Sequence, residues 1–533
     1  MTRLAQFCIL AYGWRRALLM ALAGAVAALS MPPLFFLPAL FVALPLWVWC
    51  LDGAETGSGW KRLFGSAFFI GFFFGLGYFL VAIHWVGAAF FVDGGIMLAL
   101  MPVAVLAMAA ALALFWGVAS AIAHLFWYNS PLRIVVLAIT LSAAEFARGH
   151  LFTGFPFDLL GYALTANETM MQLTALVGVY GLTILAALIA LTPALVWPAD
   201  DRALTARLMP FFAALVVLAA QLGFGQYRLN TIQVAERNDM RLRLVQPNIS
   251  QADKWRPGAR EFVLDRLLSL SDSRTGPADT GLTGITHLVW PESALPFFLG
   301  DYPGALVDIA AMLPPGTTLL TGMPRRDALA TTKGGADYNS ILAINADGEI
   351  VSTYDKTHLV PVGEYLPFKS FFQALGVTQF VPGARGWTAG EARRLMRTPT
   401  TPEFLPLICY EAIFSGDLGE GVDKAQFILN VTNDGWFDGS IGPAQMFHFA
   451  RVRAAEHGIP MVRVANTGFT ALIDPLGRLQ NVLTPAEIGV IDVTMPRRIA
   501  HTFFSKWTNW PFLFALMFGV VIVMWDKRRI SHR

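Results

Sequence analysis

Apolar and polar positions divide the chain into two kinds of text. Apolar runs long enough to cross a bilayer fall near residues 17–31, 34–50, 64–83, 95–117, 134–147, 170–197 and 209–225, and a last one covers residues 510–525. These predict a polytopic α-helical membrane domain of about eight spans, seven before a long polar stretch and one after it. Past Gln226 the pattern changes to short apolar runs separated by turn residues, the grammar of a strand-rich α/β domain. Residues 241–245 alternate polar and apolar. Residues 286–289, 317–320, 349–353, 404–409, 427–431, 461–464 and 488–493 read as further strands, and 259–270 and 443–457 as helices. Asn345-Ala-Asp-Gly348, between two strand-like runs, reads as a hairpin turn. The expected organisation is a membrane domain over 1–225, an extramembrane domain over 226–505, and a span with a basic tail over 506–533.

Composition agrees: 55% hydrophobic and 14% charged residues exclude an ordinary soluble domain. Arg15 and Arg16 before a run ending in small residues give the first segment some character of a signal peptide, but with so many spans behind it an uncleaved helix is expected. Basic residues fall on one side of the predicted spans: Arg3, Arg15, Arg16, Lys61, Arg62, Arg133, Arg202, Arg207, Lys527, Arg528, Arg529 and Arg533. The other side offers Arg148. The positive-inside rule therefore predicts that residues 226–505 face outward, into the periplasm where the cell has one. The net charge of +2 is spread thinly and predicts no nucleic-acid partner.

Of the 3 cysteines, Cys8 and Cys50 lie in the apolar N-terminal region and Cys409 stands in the polar part without an intradomain disulfide partner. In an oxidising compartment a retained free thiol is more easily explained by chemistry than by architecture. The stretch 404–414 runs apolar up to Cys409 and turns polar at Tyr410 and Glu411, as a buried strand ending in a turn that presents a thiol. An unperturbed thiol is only a few per cent thiolate at neutral pH, so a nucleophilic cysteine needs a positioned base and a nearby cation. Trp290-Pro-Glu292-Ser293 follows one strand-like run and delivers a carboxylate; Tyr354-Asp-Lys356-Thr357-His358 follows another and delivers an ammonium. Each residue also has a plain reading, since a buried Cys is often a small hydrophobe and a single Glu or Lys is usually solvated. No H-E-x-x-H and no C-x-x-C is present and the histidines are scattered, so neither a metal site nor a cofactor is expected. Asn167, Asn248 and Asn430 begin glycosylation-like triplets short enough to occur by chance.

The phrases W-P-E-S, Y-D-K-T-H-L-V-P-V-G-E-Y-L-P and I-C-Y-E, in that order, resemble the nitrilase (carbon–nitrogen hydrolase) superfamily. Within it the chain most resembles the apolipoprotein N-acyltransferase family, over nearly its whole length. The resemblance implies an α/β nitrilase-like αββα sandwich with Glu292 as base, Lys356 as cation and Cys409 as nucleophile. It also implies supporting roles for Glu364 in Val360-Pro-Val-Gly-Glu-Tyr-Leu-Pro367, for Tyr410 and Glu411 beside the nucleophile, and for Asn339. Trp255 reads equally as packing or as part of a lid. Glu145-Phe-Ala-Arg148-Gly and Thr153-Gly-Phe-Pro156, read as a loop after the fifth span, resemble the family's membrane signature. Arg148 is then either a snorkelling anchor or a residue shaping a lipid entry site near a phosphate. Residues 365–375 read as core or as an arm dipping into the outer leaflet.

The implied reaction moves a fatty acyl chain from a phospholipid onto Cys409, then to the α-amino group of a diacylated apolipoprotein, with ping-pong kinetics. The implied setting is the bacterial inner membrane, with the protein as a monomer. A membrane-tethered amidase using water would need the same first half-reaction. A transporter with an outer binding domain is the third reading, although the spans show few ionisable residues at mid-membrane.

Overall fold

The computed structural model describes the chain except residues 56, 58, 59, 61–63, 94, 200, 257, 275, 277, 278, 328–334, 362, 366–385, 532 and 533. It divides into two compact units, residues 1–231 with 502–533, and residues 232–501.

In the first unit all eight apolar stretches are helical: Gly13–Ala28, Pro38–Asp52, Ser66–Ala82, Ile96–Leu125, Arg133–His150, Thr174–Leu191, Leu204–Thr231 and Trp510–Ser531. Among the described residues five helices are long and apolar enough to cross a membrane, and a sixth span is available if Ser66–Ala82 and His84–Val92, bent by 51°, count as one. The Pro-rich turn takes in the apolar residues Leu34–Leu37, and the helices on either side of it, Gly13–Ala28 and Pro38–Asp52, of 16 and 15 residues, fall outside that count by length. At 1.5 Å per residue these reach only about 22–24 Å against a hydrocarbon core of roughly 30 Å. Two of these helices meet through glycine. A Cβ on Gly24 would lie 1.9 Å from the Phe74 carbonyl oxygen, and one on Gly77 would lie 1.8 Å from that of Ala21, so Gly13–Ala28 and Ser66–Ala82 touch backbone to backbone. Helix Leu204–Thr231 runs past residue 225 before the strands begin.

The second unit holds two sheets. The first contains β1 (Glu236–Gln246), β2 (His287–Trp290), β3 (Thr318–Asp327), β4 (Ala336–Ile344), β5 (Ile350–Asp355) and β11 (Gly489–Pro496), in the order β11-β1-β2-β3-β4-β5. The second contains β6 (Leu405–Ile408), β7 (Ile428–Thr432), β8 (Met461–Ala465), β9 (Thr470–Ile473) and β10 (Leu479–Leu483), in the order β10-β9-β8-β7-β6. Strands β1 to β5 and β6 to β10 repeat one pattern, two parallel steps followed by two antiparallel ones. Strand β11 returns antiparallel to β1 and pairs Pro496 with Glu236.

Burial on both faces explains why the central strands β2, β6, β7 and β8 read as largely apolar runs. Val289, Leu320 and Ile341 of the first sheet pack against Ile408, Leu429 and Val464 of the second. Alternate residues point away: Leu288, Trp290 and Leu319 cover helix residues Val263, Leu267 and Ile309, and Leu405, Leu407 and Ile428 cover Ala450 and Ala454. Helix, sheet, sheet, helix is the result, an αββα sandwich. The hairpin turn lies between β4 and β5, where the Asn345 side-chain oxygen accepts from the Asp347 and Glu349 amides at 3.1 and 2.8 Å and Gly348 has φ +78°.

Candidate active site

Strands β2 and β5 run in the same direction, so the residues after them meet at one edge of the first sheet. Glu292 follows β2 and Lys356 follows β5. Lys356 Nζ lies 2.8 Å from Glu364 Oε1 and 3.8 Å from Glu292 Oε1. Asn339 on β4 donates from Nδ2 to Glu292 Oε1 at 2.8 Å and to Glu364 Oε1 at 3.3 Å, while the Val360 amide donates to Glu364 Oε2 at 2.8 Å. All four of these side chains are buried. Gly322 of β3 passes so close beneath that an added Cβ would lie 2.6 Å from the Glu292 Cα.

From the second sheet, β6 ends at Ile408 and delivers Cys409, partly exposed, in the left-handed region at φ +53°. A non-glycine residue there is strained and persists only where its surroundings over-determine it. Those surroundings are visible. Asn430 donates to the Leu407 and Cys409 carbonyls at 3.2 and 3.3 Å, and Arg463 ties Asn430 to Asp434 in a buried network. Glu411, fully buried, accepts from the Ile408 amide at 2.8 Å, from the Thr357 and His358 amides at 3.0 Å each, and from the Tyr354 hydroxyl at 2.8 Å. It therefore clamps the thiol-bearing turn of one sheet to the lysine-bearing loop of the other.

The charges acting on this site follow from burial. Burial raises Glu292 above the ordinary carboxylate range, and Lys356 only partly opposes it. Burial pulls Lys356 down, but Glu364 and Glu292 outweigh it and hold the amine as ammonium. The Cys409 thiol is pushed up to about 12 by desolvation and then by the charge of Glu292, with Lys356 opposing. Burial here thus favours the protonated thiol over the thiolate. Burial also penalises the Glu411 carboxylate, yet Arg393 and the amides hold it below the usual range.

A model of the apolipoprotein N-acyltransferase N-terminal domain matches residues 23–192, and one of the carbon-nitrogen hydrolases matches residues 241–502. The chain is similar to the apolipoprotein N-acyltransferase of Rhodopseudomonas palustris, at 41% identity covering 99% of this chain and 98% of that one. The chain belongs to the apolipoprotein N-acyltransferase family. Relatives in Bradyrhizobium diazoefficiens and Brucella suis carry that name too, at 40% and 39% identity over 100% and 99% of this chain and 98% and 99% of theirs.

The N-acyltransferase signature in the apolar unit has a different geometry from its sequence reading. Glu145 and Arg148 lie in the last turns of helix Arg133–His150, not in a loop, and both are fully buried. Arg148 donates from Nε and Nη2 to the two Glu145 oxygens at 2.9 Å each and from Nη1 to the Phe155 carbonyl at 2.5 Å; Trp116 donates to Glu145 Oε1 at 2.7 Å. The snorkelling reading fails, because the guanidinium is committed inside the helical unit. Trp255 is half-buried and donates to Gln251 Oε1 at 3.2 Å. Tyr410 is buried, edge-on to Phe414 with ring centres 5.0 Å apart. Residues 366–375 of the predicted arm lie outside the described residues. Sequence reading passed over Asn430, Arg463 and Asp434; the only signal at Asn430 was a glycosylation-like triplet, and the residue is buried inside β7.

Proposed function

We propose that this chain is a lipoprotein N-acyltransferase of the bacterial inner membrane, multi-pass and monomeric, with residues 226–505 in the periplasm. The convergence of Glu292, Lys356 and Cys409 from three strand ends carries the reading. Cys409 Sγ attacks the ester carbonyl of a phospholipid as its proton passes to Glu292. Lys356 stabilises the oxyanion of the tetrahedral intermediate. Collapse breaks the ester bond, and Glu292 returns the proton to the departing lysophospholipid hydroxyl, leaving an acyl-thioester on Cys409. The α-amino group of a diacylglyceryl-cysteine apolipoprotein then attacks the thioester. Glu292 accepts the amine proton and delivers it to the departing sulfur, completing a ping-pong cycle. Glu364 and Asn339 hold the ammonium and the base in register, and Glu411 fixes the nucleophile's turn.

The test is to offer the purified full chain phospholipid alone and then a diacylated lipopeptide, following both by mass spectrometry. The expected result is a hydroxylamine-labile acyl adduct on Cys409 that disappears as N-acylated lipopeptide forms. Release of free fatty acid with no acylated peptide would favour the amidase-like use of water, and full activity in Cys409→Ala would end the reading.

A further inference from the structure

One buried side chain that acts electrostatically on Glu292 has no task in the mechanism above. Lys254 ends the short helix Gln251–Lys254, whose first turn is capped by Ser250 accepting from the Asp253 amide at 3.1 Å. The preceding segment is pinned to the second sheet: the Asn248 amide donates to the Asn466 carbonyl at 2.9 Å, and Asn466 Nδ2 donates to the Ile249 carbonyl at 2.8 Å. The lysine is thereby held inward. It is 1% exposed, and its Nζ meets no hydrogen-bond acceptor among the described residues. A buried ammonium without a partner is costly, and so calls for an explanation other than packing.

The charge that acts on it is that of Glu292. Glu292, Glu364 and Lys356 form a buried cluster of two carboxylates and one ammonium, which leaves one net negative charge when all are ionised. A second ammonium brings that sum to zero. We propose that Lys254 is a positioning residue of the active site, the counter-charge that keeps Glu292 ionised as a base while Glu364 is occupied in holding Lys356. The inference rests on Glu292 being the base for Cys409. Burial pulls Lys254 down to about 8 with Glu292 opposing, so at neutral pH the counter-charge is present. The groups acting on Glu292 are Lys356, Glu364, Asn339 and Lys254, so removing Lys254 leaves the surplus carboxylate uncompensated.

The experiment uses the full chain in detergent with phospholipid and measures the rate of Cys409 acyl-adduct formation from pH 5 to 9. Protonation of Glu292 sets the acid limb. In Lys254→Met that limb moves to higher pH by roughly 0.5–1 unit, the scale of one screened charge nearby, so the rate on the limb falls about 3- to 10-fold. Lys254→Arg restores the parental position. Lys254→Gln repeats the measurement should the methionine variant not fold. A Lys254→Met profile superimposed on the parent's, whatever its amplitude, overturns the proposal, as does a shift that arginine fails to reverse. Glu292→Gln separates the two ideas: loss of the limb supports Glu292 as base, and a parental profile in that variant defeats that assignment itself.

Discussion

Each unit of the molecule buries an ion pair, and the two are built differently. Around Glu145 and Arg148 three guanidinium nitrogens and both carboxylate oxygens have partners at 2.5–2.9 Å. Around Glu292 the geometry is looser. Lys356 stands 3.8 Å from it, Asn339 Oδ1 and Lys254 Nζ are buried with no hydrogen-bond partner among the described residues, and burial raises the carboxylate's pKa. The first arrangement holds helices together; the second leaves hydrogen-bonding capacity unused, as a site that must accept protons and substrate oxygens requires. Ion pairs of equal burial can thus be told apart by how completely they are satisfied.

The contrast can be broken most forcefully at the sulfur. Cys409→Ala should lower acyl transfer by at least about 10³-fold and abolish the adduct seen by mass spectrometry, with folding intact. Glu292→Gln should cost about 10²–10⁴ in adduct formation rate. The same change should raise stability at neutral pH. The native pKa of Glu292 lies above its ordinary 4.5, so the ionised carboxylate destabilises the fold above that native pKa, and the effect vanishes below about 4.5. Thermal unfolding of the parent and Glu292→Gln across pH checks the sign.

Arg148→Met should do the reverse, destabilising by about 3–5 kcal/mol by stranding a buried carboxylate, with much of the loss recovered when Glu145 is also made apolar. Thermal denaturation in detergent reads both. The smallest effect expected is that of Glu411→Gln, about 1–3 kcal/mol, the scale of a disrupted charged hydrogen-bond set. Because the native pKa of Glu411 is depressed, its contribution is present above about 4.5 and is lost as pH falls through the native value, so the two unfolding curves should converge on acidification.

The strand ends were legible for a simple reason. Strands β2 and β6, buried throughout, read as near-continuous apolar runs with Glu292 and Cys409 just past their ends, and Lys356 follows the partly exposed edge strand β5. Less was legible where context decides. Strand β10, Leu-Gln-Asn-Val-Leu, is half polar because it lies on an edge. Lys254 sits in sequence beside Asp253 and Arg256, which make it look solvated; only the pinning of residues 248 and 249 turns it inward. At Arg148 only the snorkelling reading fails: a charge after an apolar run resembles a helix end at the membrane surface, but here a glutamate one turn earlier receives it inside the helical unit.

The pairing of Glu236 with Pro496 gives the sandwich a property beyond its chemistry. An insertion whose entry and exit lie side by side can be carried between two helices of a host without stretching either.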